Sequence, residues 1–156
     1  MGLHEFTVKY MMSSGEKLQP HDFNLTMYDS CNQSAVITTQ EIEDMDIKSL
    51  SPESQAITQT LNIFTDKVSQ KYGSEVCFDM TYKILDEKQS PGPDWISVEY
   101  IVGEPTFNVI LATNNYDKAG IFELLLRAEL KNYPGARAKD LKFTVEILDS
   151  DVEPFV

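Results

Sequence analysis

Two cysteines, Cys31 and Cys77, two histidines, His4 and His21, and 25 acidic side chains are the residues of this chain with chemistry to offer. The cysteines either join in a disulfide or stand as two free thiols. Both histidines fall near the amino terminus, with no His-x-x-x-His pair, no Cys-x-x-Cys and no glycine-rich phosphate cradle elsewhere. A carboxylate pair for glycoside chemistry could be drawn from so many acids, but no pattern selects one. The chain is therefore expected not to be an enzyme. Near the carboxyl terminus Asp149, Asp151 and Glu153 alternate along the chain, a spacing from which carboxylates converge on one calcium ion. Glu41, Asp44 and Asp46 form a second acidic group. Acidic segments are more often simply solvated, so the expectation is no cofactor, with calcium the one cation that has candidate ligands. Asn24-Leu-Thr26 and Asn32-Gln-Ser34 are acceptor sequences for N-glycosylation in a secretory pathway. Trp95 and Tyr100 flank a strand-like segment that, if exposed, could be a ligand platform, but the lone tryptophan reads as core.

The elements that must carry these groups are strands. Val76, Phe78, Met80, Tyr82 and Ile84 alternate with Glu75, Cys77, Asp79, Thr81 and Lys83, which predicts a half-buried strand with Cys77 on its polar face. Phe143, Val145 and Ile147 repeat the alternation, as do Phe23, Leu25 and Met27. Further strands are expected at 35–39, 57–64, 95–100, 106–112 and 121–130, separated by turns such as Ser90-Pro-Gly-Pro-Asp94 and Asn132-Tyr-Pro-Gly135. Residues 41–56 read as a long loop with one helical turn. The fold class is all-β, an immunoglobulin-like β-sandwich with an additional N-terminal β-hairpin.

The ends of the chain echo each other. Gly2-Leu-His-Glu-Phe-Thr-Val-Lys9 lies over Gly120-Ile-Phe-Glu-Leu-Leu-Leu-Arg127. After a two-residue gap, Phe23-Asn-Leu-Thr-Met-Tyr-Asp-Ser30 lies over Phe143-Thr-Val-Glu-Ile-Leu-Asp-Ser150. Self-similarity at this distance is the mark of a tandem array. It divides the chain into the closing hairpin of a preceding repeat or a strand-donating extension (1–30), one sandwich (31–150) and a linker to a following module (151–156). A hairpin with an apolar face is not stable alone in water, so it must pack in cis, belong to a longer chain or complete a partner by strand addition.

Asp117-Lys-Ala-Gly-Ile-Phe-Glu-Leu-Leu-Leu, Tyr133-Pro and Phe143-Thr-Val-Glu-Ile-Leu-Asp together resemble the last two strands of immunoglobulin-like or cadherin-like repeats in bacterial and protist surface proteins. Tyr28-Asp-Ser-Cys31 is similar to the opening of the next repeat, and the resemblance implies that Cys31 pairs with Cys77. With Cys77 on a polar face and Cys31 at a module junction, such a bridge would be a surface staple. The resemblance implies a structural or adhesive extracellular module of a cell-surface protein, stalk or filament, with neighbouring modules or identical subunits as partners. The alternative is a cytosolic acidic interaction domain or inhibitor that mimics nucleic acid. A net charge of −12 disfavours binding to nucleic acid itself and to anionic membranes. No apolar run is long enough for membrane insertion, and the N-terminus lacks the basic and apolar regions of a signal peptide. The chain is thus either cytosolic or an excised piece of a longer secreted protein, and the half-module at its start favours the latter.

Overall fold

Alternation of apolar and polar side chains builds most of the sheets. The computed structural model describes residues 3–8, 21–26, 30–48, 56–73, 75–77, 79–112 and 119–149. In chain order the elements are β1 (Leu3–Val8), β2 (His21–Thr26), β3 (Val36–Ile37), β4 (Met45–Lys48), β5 (Ile57–Asn62) and β6 (Thr65–Asp66). They continue with α1 (Lys67–Tyr72), β7 (Met80–Asp86), β8 (Ile96–Tyr100), β9 (Thr106–Leu111), β10 (Gly120–Leu130) and β11 (Lys139–Leu148).

Two sheets make the sandwich. One has the order β4-β11-β10-β7 and the other β5-β9-β8. The second, fifth and fourth strands of an immunoglobulin domain pair in the order of β5, β9 and β8, and its third, sixth and seventh in that of β7, β10 and β11. The first strand is divided: β3 pairs antiparallel with β6, and β4 then runs parallel to β11. Every second residue of β9, β10 and β11 points inward, burying Phe107, Val109, Leu111, Leu126, Ala128 and Val145 completely. Each large apolar side chain so buried stabilises the fold by about 1.5–3 kcal/mol.

The centre of the core is aromatic. The Tyr82 ring stacks on Phe107 at 3.9 Å, with Phe64 edge-on to Tyr82 at 5.2 Å. Tyr82 lies on the strand that carries the buried tryptophan in antibody domains. Its hydroxyl accepts the Phe64 N–H at 2.7 Å. Burial, offset in part by that hydrogen bond, pushes its hydroxyl far above the usual tyrosine range. Trp95 is buried edge-on to Phe122, as a core residue.

Three expectations about elements change. Residues 41–56 hold a strand, because Met45 and Ile47 are buried with Asp46 exposed between them and β4 completes the sheet. The strand drawn over 75–84 begins only at Met80. Asp79 has φ 64°, a left-handed backbone that a strand cannot continue through. The third change is a short helix absent from those expectations, α1, which ends before residues 75–77 and has Asp66 as its N-cap and Gly73 at φ 67° as its C-cap.

Glutamine side chains join the crossover from β3 to β4 to the free edge of β5. The Gln40 amide donates to the Asn62 carbonyl at 2.9 Å and accepts the Asn62 N–H at 2.8 Å. Gln59 does the same with Glu43, at 2.7 and 3.0 Å.

The amino-terminal hairpin is β1 against β2, with Leu3 opposite Thr26 and Phe6 opposite Phe23. In the β10–β11 hairpin Ile121 stands opposite Glu146 and Leu124 opposite Phe143. Those are the positions that the alignment of the two ends matches, and every pair of the shorter hairpin has its counterpart in the longer one.

Candidate functional site

The side chains with the most built-in organisation gather at one pole, where the chain enters the sandwich. A turn of 3₁₀ helix, Cys31–Gln33, opens the domain. Cys31 is bonded to Cys77, with their Cα atoms 5.7 Å apart. Cys77 follows α1 in the connection from β6 to β7 and is only 5% exposed, in contact with the hydrophobic core. The staple is therefore buried at Cys77 and half-buried at Cys31, packed against the core and not on a polar surface. The alternation that suggested an outward Cys77 does not hold, because residues 75–77 precede the strand.

A polar network holds the same segment. Asp66 is 1% exposed, and its Oδ1 accepts the Ser34 hydroxyl at 2.6 Å and the Val68 and Ser69 N–H groups at 3.0 Å each. The Ser69 hydroxyl in turn accepts the N–H groups of Val76 and Cys77, at 3.0 and 3.2 Å. Burial works against the charge on Asp66. The hydrogen bonds from Ser34, Ser69 and Val68 more than offset it, and hold the carboxyl below its ordinary range. One carboxylate thus caps α1, fixes the incoming chain at Ser34 and, through Ser69, orders the backbone beside the disulfide.

The incoming segment is fastened on its other side to the β10–β11 turn. Asn32 accepts the Gly135 N–H at 3.3 Å. A Cβ on Gly135 would lie 3.1 Å from the Asn32 carbonyl oxygen, so this approach favours glycine. The Arg137 N–H donates to the Ser34 carbonyl and the Val36 N–H to the Arg137 carbonyl, each at 2.9 Å. Beside the disulfide lies a cavity of about 280 Å³, walled by Phe64, Met80, Tyr82 and Tyr100.

Of the residues singled out from the sequence, Cys31, Cys77 and Asn32 come together here. Asn32 is exposed. Asn24 lies in β2 opposite Glu5, and its side chain is outside the described ones. Asp149 is exposed at the opposite pole, while Asp151, Glu153 and the 151–156 segment are outside the described residues. Among the described residues no group of His, Cys, Asp and Glu is arranged to hold a metal ion. Asp44 accepts the Thr144 N–H at 2.7 Å, a structural bond beside β4. Ser34 was noted only as the end of a glycosylation acceptor, and Asp66 and Ser69 were not singled out, although Asp66-x-x-Ser69 followed by Gly73 is a readable pair of helix caps. Elsewhere, the outer face of the sheet carries a two-pronged ion pair of Arg127 with Asp140, at 2.7 and 2.8 Å. Hydrogen bonding to Arg127 holds the Asp140 carboxyl below its ordinary range, against a smaller opposing effect of burial.

The arrangement is that of a clamped immunoglobulin-like sandwich, whose first residues are tied covalently to one loop and by hydrogen bonds to another. A bridge of this kind persists where the surroundings are not reducing, and among the described residues no helix is long and apolar enough to cross a membrane. No protein-family model and no curated protein matches the sequence. Among solved structures, the chain is similar to an endo-fucoidan hydrolase of glycoside hydrolase family 107, at 13% identity and TM-score 0.48. That match covers 96% of this chain and 19% of the enzyme, so the chain spans about a fifth of its length. It is also similar to the titin M3 domain, at 7% identity and TM-score 0.43, covering 74% of this chain and 96% of that one. A chain from a mutant complex of titin M10 with obscurin-like 1 Ig gives 9% identity and TM-score 0.45, with 76% and 96% covered.

Proposed function

We propose that this chain is a structural module of an extracellular tandem array, a rigid disulfide-stapled spacer whose partners are further modules of the same kind. The observation that carries this is the shared register of the two hairpins. Residues 3–8 and 21–26 pair as 121–126 and 141–146 do, in the frame that the sequence repeat selects. On this reading β1 and β2 are the last two strands of another module, and the remainder of their sheet comes from that module. From Thr26 at the end of β2 to Cys31 is five Cα steps, at most about 18 Å of extended chain. Two modules joined so closely abut, and the clamp on residues 31–37 leaves little slack between them. Acidity keeps such a surface soluble, and Asn24 and Asn32 are where sugars would be attached.

Two measurements test this. Residues 30–149 alone should unfold within about 2 °C of the full chain, because a hairpin belonging to another module adds little to this core. A loss of about 10 °C or more would make the hairpin an integral part of this sandwich and end the repeat reading. Natively isolated protein should gain two hydrogens in mass on reduction and lose mass to a glycosidase. Material of bare-chain mass with reduced cysteines would instead favour a cytosolic interaction domain.

A further inference from the structure

We infer that the Cys31–Cys77 bridge is a load bypass, which moves tension from the weakest strand contacts of the module to its strongest. The inference rests on the array reading in one respect only, namely that the module is pulled from its two ends. Strands β4, β7 and β11 all run in one direction, since β4 is parallel to β11 while β7 and β11 are both antiparallel to β10. Both cysteines lie at the pole where these strands begin, and Leu148 ends β11 at the other.

Consider the chain without the bridge. A pull that enters at Ser30 and leaves at Leu148 meets the divided first strand. It loads the two-residue β3 against β6 and then the four-residue β4 against β11. These are the shortest ladders in the sandwich. With the bridge in place, the pull crosses from Cys31 to Cys77 through covalent bonds. Residues 32–76, which include β3, β4, β5, β6 and α1, become a closed ring in parallel with the bridge and carry no tension. The load instead enters the seven-residue β7, crosses to β10 and leaves through the ten-residue β11. Every one of these strands is pulled along its own axis, so the hydrogen bonds of a ladder resist together, and a longer ladder yields at higher force. The bridge also bounds the extension. When the sandwich gives way, the ring stays closed and 46 residue steps never lengthen. At about 3.6 Å per residue that is roughly 165 Å of chain withheld.

The test is single-molecule stretching of the full chain from its two ends, comparing the oxidised protein with the same protein in dithiothreitol and with Cys31→Ser/Cys77→Ser. The oxidised protein should yield at a force at least about 1.5-fold higher and lengthen by about 165 Å less. The reductant arm keeps the comparison valid if the double variant folds poorly. The second arm uses Asp46→Pro, an exposed change inside the four-residue β4, where the fixed φ of proline strains the pairing with β11. It should leave the yield force of the oxidised protein unchanged and lower that of the reduced protein. Equal yield forces with and without the bridge, or a drop in the oxidised Asp46→Pro protein, would overturn the bypass. Neither result bears on the array, which stands or falls by the stability of residues 30–149 alone.

Discussion

Replacing Asp66 by alanine removes the acceptor for three donors at a site that is 1% exposed. Loss of the helix cap costs about 1 kcal/mol. The Ser34 hydroxyl and the Val68 and Ser69 N–H groups are then left in a place where water does not reach. An unsatisfied buried donor costs about 1–3 kcal/mol. The Ser69 donor overlaps with the capping term, and the Val68 N–H keeps the Ser34 hydroxyl oxygen as an acceptor at 3.2 Å, so the sum is about 3–4 kcal/mol. Asp66→Asn keeps an oxygen in place and remains a good cap, losing only the charge, for about 1 kcal/mol. Thermal unfolding under non-reducing conditions would read these as midpoint losses of about 10–18 °C and 3–6 °C. Acid sharpens the test. The carboxyl is held below its ordinary value of 3.8 in the folded state, so its contribution is complete above that pH and disappears as pH falls through the folded value. The gap between wild type and Asp66→Asn should therefore close below about pH 4. An alanine variant within about 1 kcal/mol of wild type, or a gap that does not change with pH, would refute the account of the network.

Further changes probe the rest of the clamp and the core. Cys31→Ser/Cys77→Ser opens a loop of 46 residues and should cost about 4 kcal/mol in the chain-entropy model, measured by urea unfolding at equal protein concentration. Gly135→Ala puts a methyl group 3.1 Å from the Asn32 carbonyl oxygen and should cost about 1–2 kcal/mol, with amide exchange quickened at Gly135 and Arg137. Tyr82→Phe leaves the buried Phe64 N–H without its 2.7 Å acceptor and should cost about 1–3 kcal/mol by the same unfolding measurement. In the native wild type, spectrophotometric titration should find Tyr82 still protonated when solvent-exposed tyrosines have ionised, because burial raises its pKa.

What the sequence disclosed depended on how local the signal was. Phe143, Val145 and Ile147 declare β11 because a strand with one buried face writes its period into the chain. The four residues of β4 do not, since Asp46 sits in an acidic run and the strand's partner lies about a hundred positions away. Parallel pairing at that distance leaves no hairpin or turn to read. The six residues of α1 are too few for a helical period, and only the caps at Asp66 and Gly73 mark it. The pairing of Cys31 with Cys77 was implied by a family resemblance, but its burial was not. The apparent alternation through Cys77 ran across a left-handed residue, Asp79, which no propensity announces. The network at Asp66 was hidden for the same reason: its donors come from Ser34, thirty-two positions earlier, and from the helix itself.

The reciprocal amides of Gln40 and Gln59 bear on a hazard peculiar to chains of near-identical domains. Neighbours in such a chain meet at very high local concentration, and an open strand edge on one is a template for the corresponding segment of the next. Gln40 occupies the Asn62 N–H and C=O with its own amide, and Gln59 ties Glu43 alongside. On the other sheet the Tyr100 hydroxyl takes up the Tyr82 N–H at 3.0 Å, and the Gly92 N–H takes up the Ile84 carbonyl at 2.9 Å. Side chains and a turn thus silence backbone that could otherwise recruit a foreign strand. In the array proposed above, each domain could then fold beside its neighbour without exchanging strands with it.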